Sequence, residues 1–103
     1  MTKGVKYDSE KNRYDLIPAD ALDEIVKNLT YGSKKYSDEN WRLVDNPEKR
    51  YFAAAQRHLW AWKRGEKIDP ENGISNLAAA AVNVMFILDL EIANNKSLEK
   101  DCN

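Results

Sequence analysis

The sequence predicts a small all-α domain. Two segments with apolar residues at helical spacing begin at a proline and end before a glycine, and a third segment is apolar over most of its length. With 103 residues, of which 43% are hydrophobic and 32% charged, the chain has the size and composition of one globular domain. We expect this domain to cover residues 1–93 and a polar tail to follow over residues 94–103.

Three helices are predicted. The first is expected over residues 18–30, ended by Gly32. The second is expected from Pro47, with Asn46 as its N-cap, to a basic last turn at Lys63 and Arg64 that is stopped by Gly65. The third is expected over about residues 74–93. An extended arm precedes the first helix. The connection between the first two helices is long enough to be functional or to contain a short helix.

The third helix is apolar almost all the way round between Leu77 and Leu88, so it has to be covered on every side. Two other helices of this length can hardly cover it, which predicts a homo-oligomer. The apolar stretch is interrupted by Asn83 and is short for a membrane span, and no signal-peptide-like run begins the chain. Cys102 is the only cysteine, so no disulfide can form within the chain. We therefore expect a soluble cytoplasmic protein without a membrane partner.

The charge balance bears on nucleic-acid binding. A formal net charge of −1, from 16 basic and 17 acidic residues, disfavours a protein whose whole surface binds nucleic acid. The basic and aromatic segment from Trp60 to Arg64 leaves a small helical DNA-binding protein as one alternative. Its signature would be a steep salt dependence of duplex binding.

The connection over residues 31–47 combines cations with aromatic rings. Cations neutralise phosphate and aromatic faces stack on bases, so this combination suits a phosphorylated nucleotide. The residues are Tyr31, Lys34, Lys35, Tyr36, Trp41 and Arg42. The other interpretation, which spacing alone favours, is that Tyr36 and Trp41 only pin the loop to the core while the lysines stay in solvent.

Polar residues near the second and third helices are further candidates. His58, the only histidine, is expected on the inward stripe of the second helix. It is either a hydrogen-bonded core residue or a contact for phosphate or metal. Arg57 beside it points elsewhere, as an exposed or intersubunit cation. Asp69 and Glu71 precede the third helix, where their carboxylates would suit a magnesium ion. Helix capping and dipole complementarity also explain these two acids, without a metal.

Asn76 and Asn83 lie two turns apart on one stripe of the third helix. Buried amides need hydrogen-bond partners, so these two either bond across a subunit interface or face a ligand. The sequence has no P-loop, no dinucleotide glycine fingerprint, no paired-cysteine zinc motif and no convincing nucleophile–histidine pair. Composition and spacing therefore lead only to a helical domain with an anion-binding loop.

An ordered series of short motifs resembles the phage dATP/dGTP diphosphohydrolase-like family, whose relatives are the MazG-like nucleotide pyrophosphohydrolases. The series covers nearly the whole chain except the tail. It comprises Lys6-Tyr7-Asp8, residues 12–18, residues 31–36, Asn40-Trp41, Arg57-His58-Leu59, Gly65-Glu66 and residues 69–73.

The resemblance implies an all-α fold of the MazG-like type that assembles as a dimer or tetramer. It also implies magnesium-dependent cleavage of a purine deoxynucleoside triphosphate with release of pyrophosphate, in which the metal neutralises charge and positions the attacking water. The polar motif of the family matches Arg57, His58, Asp69 and Glu71, and its loop motif matches Lys35, Tyr36, Asn40 and Trp41.

One departure from the family bears on activity. Typical members carry two histidines on the third helix, where this chain has Asn76 and Ala79. Asparagine cannot act as a base, and alanine can neither bind a metal nor transfer a proton. If those histidines matter to turnover, this chain keeps the pocket and has lost the chemistry.

We therefore expect a viral protein that binds and sequesters a phosphorylated purine or signalling nucleotide with little or no hydrolysis, and so counters host immune signalling. The alternative is an active magnesium-dependent dATP/dGTP pyrophosphohydrolase. The expected metal ligands are Asp69 and Glu71. The expected ligand contacts are Lys34, Lys35, Tyr36, Asn40, Trp41, Arg57, His58, Asn76 and Asn83.

Overall fold

Three α-helices form the protein in the computed structural model, which describes the backbone of residues 3–102 and the side chains of residues 3–98. They are α1 (Ala19–Lys35), α2 (Pro47–Lys63) and α3 (Asn76–Cys102). Short 3-10 helices lie at Tyr14–Leu16 and Asn40–Leu43. The described backbone holds no strand beyond a single bridge between Ile68 and Ser75, so the predicted all-α class is confirmed.

The prediction that Gly32 ends the first helix is wrong, because α1 continues to Lys35. One glycine inside a helix costs only about 1 kcal/mol relative to alanine, and packing of half-buried neighbours such as Tyr31 offsets such a cost. The Gly32 carbonyl accepts the backbone N–H of Tyr36 at 3.0 Å, at the true end of the helix. Lys34 and Lys35 therefore lie in the last turn of a helix, where the helix dipole favours cations.

The second helix begins at Pro47, as predicted, and ends at Lys63 with Arg64 as its C-cap, within the predicted basic end before Gly65. Asn46 is its N-cap residue, in the left-handed region with φ of 51°, which asparagine adopts more readily than most residues. The Asn46 side chain makes no capping hydrogen bond, so that part of the expectation is wrong. Gly65, with φ of 100°, follows the helix.

The third helix is longer than predicted. It begins at Asn76 after Ser75, whose hydroxyl oxygen accepts the backbone N–H of Leu77 at 3.1 Å. It continues to Cys102, so the expected end at Ala93 is wrong. The residues after position 93 include lysine, leucine and glutamate, which are good helix formers even though they offer little to bury.

The centre of the fold is α3, which packs mainly against α2 and less extensively against α1. The buried apolar side chains of α2 and α3 are small, and small side chains allow helices to approach closely. They are Ala55, Ala78, Ala79, Ala80 and Val82. Because α1 and α2 both pack on α3 but share few contacts with each other, a gap is left between them.

Much apolar surface stays exposed on α3. Leu77, Val84, Leu88 and Ile92 form a stripe at helical spacing and are between 43% and 53% exposed. Within the described residues, the stretch Asn76–Leu98 is long and apolar enough to cross a membrane, with a mean hydropathy of 1.6 over an 18-residue window. This corrects the expectation that the apolar stretch is too short. Core helices of soluble proteins have the same composition, so the stretch alone does not assign a membrane location.

Candidate functional site

The gap between α1 and α2 is a cleft of about 1140 Å³. The end of α1 and the connection after it form one wall, one face of α2 forms the other, and α3 contributes Ala79, Val82, Asn83 and Phe86 to the floor. This arrangement follows from the packing, since both walls stand on the same central helix. Open clefts with an apolar floor and a few polar groups on the walls are the usual form of small-molecule sites.

Every residue predicted as a ligand or metal contact lines this cleft except Asn76. The lining residues among them are Lys34, Lys35, Tyr36, Asn40, Trp41, Arg57, His58, Asp69, Glu71 and Asn83. The basic segment from Trp60 to Arg64, named for the DNA-binding alternative, lies outside the cleft lining.

The charge of the cleft is positive. Five cationic side chains line it, and only three carboxylates do. The cations are Lys34, Lys35, Lys49, Arg50 and Arg57, and the acids are Asp38, Asp69 and Glu71. A concave surface with an excess of one charge attracts a ligand of the opposite charge, here an anion.

Lys49 and Arg50 were missed in the sequence because they lie outside the aromatic connection. A signal was present: Arg50 and Arg57 are seven residues apart, which places them two turns apart on one face of a helix.

An ion pair closes one end of the cleft. The ammonium group of Lys35, at the end of α1, lies 2.8 Å from the carboxylate of Glu71, in the turn before α3. Two hydrogen bonds raise the pKa of Lys35 above its ordinary value. The bond to Glu71 has the larger effect and the bond to Tyr36 the smaller one. Both side chains are exposed, and exposed ion pairs are weak. A bound ligand can therefore replace Glu71 as the partner of Lys35.

The acidic turn before α3 is held by its own hydrogen bonds. The Asp69 carboxylate accepts the backbone N–H of Glu71 at 2.9 Å, and the side-chain oxygen of Asn72 accepts the backbone N–H of Ile74 at the same distance. Gly73 completes the turn with φ of 71°, a conformation that favours glycine. Asp69 therefore shapes this turn. The cap of α3 comes from Ser75 instead.

The described side chains do not by themselves fit a resident magnesium ion. No group of three or more histidine, cysteine, aspartate or glutamate side chains lies close enough together to hold a metal within the part of the chain whose side chains are described. Of the two predicted ligands, Asp69 accepts a backbone N–H and Glu71 is paired with Lys35. The magnesium site stays a prediction.

Trp41 connects the loop to the helical core. Its indole stacks on the phenyl ring of Phe86, with centroids 4.4 Å apart and planes 6° apart. The guanidinium of Arg42 lies 4.1 Å from the indole centre and also pairs with Asp89 on α3 at 3.1 Å. Because Phe86 and Arg42 both contact its ring, Trp41 holds the loop against the core, as the alternative interpretation of Trp41 predicted.

Tyr36 differs from Trp41. Its side chain lines the cleft and is 64% exposed, and the Lys35 ammonium lies 5.3 Å from its ring centre. Among the aromatic residues of the cleft, Tyr36 is therefore the one with an exposed ring for a base.

The two asparagines of α3 have different roles. Asn76 is 3% exposed, donates to the Glu66 carbonyl at 2.8 Å and lies 2.8 Å from Nδ1 of His58. Asn83 lines the cleft floor and donates to the Ala79 carbonyl of its own helix at 2.8 Å. Both amides find partners within one chain, so neither of them requires a subunit interface to be satisfied.

Comparison with known proteins identifies the family. The family model for dATP/dGTP diphosphohydrolase, N-terminal, matches residues 1–101. Comparisons with curated proteins and with solved structures gave no match. The chain belongs to the dATP/dGTP diphosphohydrolase N-terminal family, and the resemblance stated from its motifs is confirmed.

Proposed function

We propose that this member of the dATP/dGTP diphosphohydrolase N-terminal family binds a phosphorylated purine nucleotide in the cleft and retains it with little or no hydrolysis. The observation that carries this proposal is that one cleft combines an excess of cations, an exposed aromatic ring and an apolar floor.

The phosphates suit the basic walls. Lys34 extends from the end of α1, and Arg50 and Arg57 extend from one face of α2 across the gap. Arginine forms paired hydrogen bonds with phosphate oxygens, while lysine acts as a compact charge. A triphosphate between these walls would be neutralised from both sides.

The base suits Tyr36. Its exposed ring lies beside the cationic groups, so a base stacked there would leave its phosphates near the walls. Stacking is tolerant of base identity, which fits a purine without selecting one.

Slow hydrolysis is supported by the residues on α3. Ala79 forms part of the cleft floor, at a position where the family resemblance implies a histidine. Asn76, at the other such position, is buried and bonded on both sides. Neither residue can transfer a proton to or from water. As part of the same proposal, the protein acts in the host cytoplasm and withholds a signalling nucleotide.

Turnover is the second candidate, and one observation favours it. Glu71 lines the cleft of a chain whose family is named for diphosphohydrolase activity. In that case Glu71 would be a carboxylate able to contact the magnesium that the family resemblance implies, and the products would be a nucleoside monophosphate and pyrophosphate.

We further propose that a second copy of the chain covers the exposed stripe of α3. The described chain has a radius of gyration of 17.8 Å, where a compact domain of this size has about 13 Å. An open shape with an apolar stripe along its longest helix fits association through that helix.

The experiment incubates the protein with nucleoside triphosphates, cyclic nucleotides and ADP-ribose-type nucleotides, with and without magnesium. The protein is then denatured and all products are chromatographed. A nucleotide depleted from solution and recovered intact supports retention, whereas monophosphate and pyrophosphate establish turnover. No depletion of any nucleotide contradicts both.

Two variants locate the binding. Arg57→Ala removes a cation from the cleft wall and should weaken binding about tenfold to a hundredfold, as expected for a charged hydrogen bond. Arg64→Ala is the matched control, because Arg64 is exposed just after α2 and outside the cleft lining. Equal losses in the two variants would contradict this placement.

A further inference from the structure

Asn76 is the only buried polar side chain among those described, and both ends of its amide are bonded. The nitrogen lies 2.8 Å from the Glu66 carbonyl oxygen, and the oxygen lies 2.8 Å from Nδ1 of His58. A carbonyl can only accept a hydrogen bond. The amino group of Asn76 therefore has to face Glu66, and its oxygen has to face His58.

This orientation fixes where His58 carries its proton. The amide oxygen of Asn76 can only accept, so Nδ1 of His58 donates and holds a hydrogen. In a neutral imidazole the second nitrogen, Nε2, then keeps its lone pair and acts as an acceptor. Free histidine in water favours the opposite form, so the protein reverses the intrinsic preference of the ring.

The placement of the two residues directs Nε2 toward the cleft. His58 lines the cleft, whereas Asn76 lies outside its lining. The two nitrogens lie on different edges of the ring. Because the Nδ1 edge is bonded to the buried amide, it follows that the opposite edge, with Nε2, is the part of the ring that lines the cleft.

The segment that carries Asn76 is fixed by backbone hydrogen bonds. The Asn76 N–H donates to the Lys67 carbonyl at 3.0 Å, and the Asp69 N–H donates to the Ile74 carbonyl at 2.9 Å. The amide cannot turn away from His58 without loss of these bonds or of the bond to Glu66. His58 is thus held by a preorganised partner.

We propose that Asn76 is a positioning residue that holds His58 with its proton on Nδ1, so that Nε2 accepts a hydrogen bond from a sugar hydroxyl of the bound nucleotide. The second part of this proposal, the hydrogen bond from the sugar hydroxyl to Nε2, is its ligand half and rests on the proposed function. A lone pair on Nε2 faces phosphate oxygens unfavourably, because both are acceptors, and it suits a hydroxyl donor. The phosphates are then left to the lysines and arginines.

The first test is nitrogen-15 NMR of the ligand-free protein at about pH 7.5, near neutrality. His58 is the only histidine, so its two ring nitrogens give the only imidazole signals. We expect a protonated Nδ1 and an unprotonated Nε2. A neutral ring with its proton on Nε2 would overturn the positioning role.

Variants separate Asn76 from general packing. Asn76→Leu cannot accept from Nδ1 and should shift the ring to the form with the proton on Nε2. Asn76→Asp still accepts from Nδ1 and should keep the proton there, although its carboxylate cannot donate to the Glu66 carbonyl. If the leucine variant does not fold, the spectrum of the wild type decides the proposal. Asn83→Leu removes an amide from the same helix and should leave the His58 signals in place. Equal spectra for the wild type and Asn76→Leu would contradict the proposal.

The second test compares dATP with 2′,3′-dideoxy-ATP by equilibrium binding. Loss of the 3′-hydroxyl should weaken binding to the wild type about tenfold. The Asn76→Leu variant should show a much smaller difference in affinity between the two nucleotides. Equal affinities in the wild type would overturn the ligand half alone. Absence of binding by either nucleotide would contradict the proposed function, while the NMR result would still decide the positioning of His58.

Discussion

The phenolic hydroxyl of Tyr51, on α2, donates a hydrogen bond to the backbone carbonyl of Trp41 at 2.7 Å. The Tyr51 ring also contacts the Phe86 ring edge to face, with centroids 5.3 Å apart, and Phe86 stacks on the Trp41 indole. One side chain of α2 therefore joins the loop to the central helix. The shape of the cleft wall depends on this join, because Trp41, Tyr51 and Phe86 all line the cleft.

Replacement of Tyr51 by phenylalanine should lower the free energy of unfolding by about 1 kcal/mol, the usual net value of one hydrogen bond. The ring and its contact with Phe86 remain, so the change isolates the hydroxyl. Chemical denaturation near neutral pH measures it. Tyr14→Phe is the matched control, since the Tyr14 side chain is 78% exposed and lies outside the cleft lining. Equal midpoints for Tyr51→Phe and the wild type would contradict the role of this bond.

The contribution of Tyr51 should disappear at high pH. Burial raises its pKa above the ordinary value of 10.0 in the folded protein. A group whose pKa is raised on folding contributes stability below its unfolded pKa and loses it as the pH rises through the folded value. The difference in stability between the wild type and Tyr51→Phe should be constant up to about pH 9 and shrink above pH 10. A difference that stays constant to pH 11 would contradict this assignment.

Tyr36→Ala should weaken nucleotide binding roughly tenfold to a hundredfold, because stacking on an aromatic ring is worth about 1–3 kcal/mol per base. Tyr36→Phe keeps the ring and should bind nearly as well as the wild type. Isothermal titration with the retained nucleotide measures both. The control is Tyr14→Ala, which removes an exposed ring outside the cleft. If Tyr36→Ala binds as the wild type does, the base lies elsewhere.

Much of the fold followed from the sequence. The three helices were predicted because proline, glycine and apolar spacing act locally. The second helix, α2, begins at the predicted residue and ends within the predicted basic segment. The ends of the other two helices were wrong for reasons beyond local sequence. Packing lets α1 continue beyond Gly32. No glycine or proline follows Ala93 to end α3.

The site was predictable as a set of residue types, but their individual geometry was not. The motif series named nearly all the predicted contacts that line the cleft. Spacing gave no means to tell that Tyr36 stays exposed while Trp41 stacks on Phe86, nor that Asn76 turns to His58. Each of these depends on which helices meet, and therefore on tertiary packing.

Glu71→Gln separates the two candidate functions. It removes a negative charge from the cleft and leaves the Lys35 ammonium without its carboxylate partner. If the protein only retains its ligand, binding should tighten by up to about fivefold, because the exposed Lys35–Glu71 pair that competes with the ligand contributes little. If Glu71 holds magnesium, turnover should be lost instead. Binding and product formation are measured on the same sample.

The control for this charge change is Glu91→Gln, an exposed residue of α3 outside the cleft lining. It has the same effect on net charge and should alter neither binding nor turnover. Equal effects of the two variants would mean that overall charge, and not the Lys35–Glu71 pair, governs the ligand.

A charge on the exposed stripe of α3 tests association of two copies. Leu88 is 53% exposed and lies one turn after Val84 on this stripe. In a subunit interface an aspartate at position 88 would be buried without a partner, at a cost of several kcal/mol. Leu88→Asp should therefore shift the protein to monomer in sedimentation equilibrium. Asn94→Asp adds the same charge at an exposed position of α3 that lies on a different face from the stripe, and it should leave the assembly intact. A wild-type protein that sediments as a monomer at all concentrations would contradict the interface. The stripe would then need a different partner, because an apolar row of this kind is costly to leave in water.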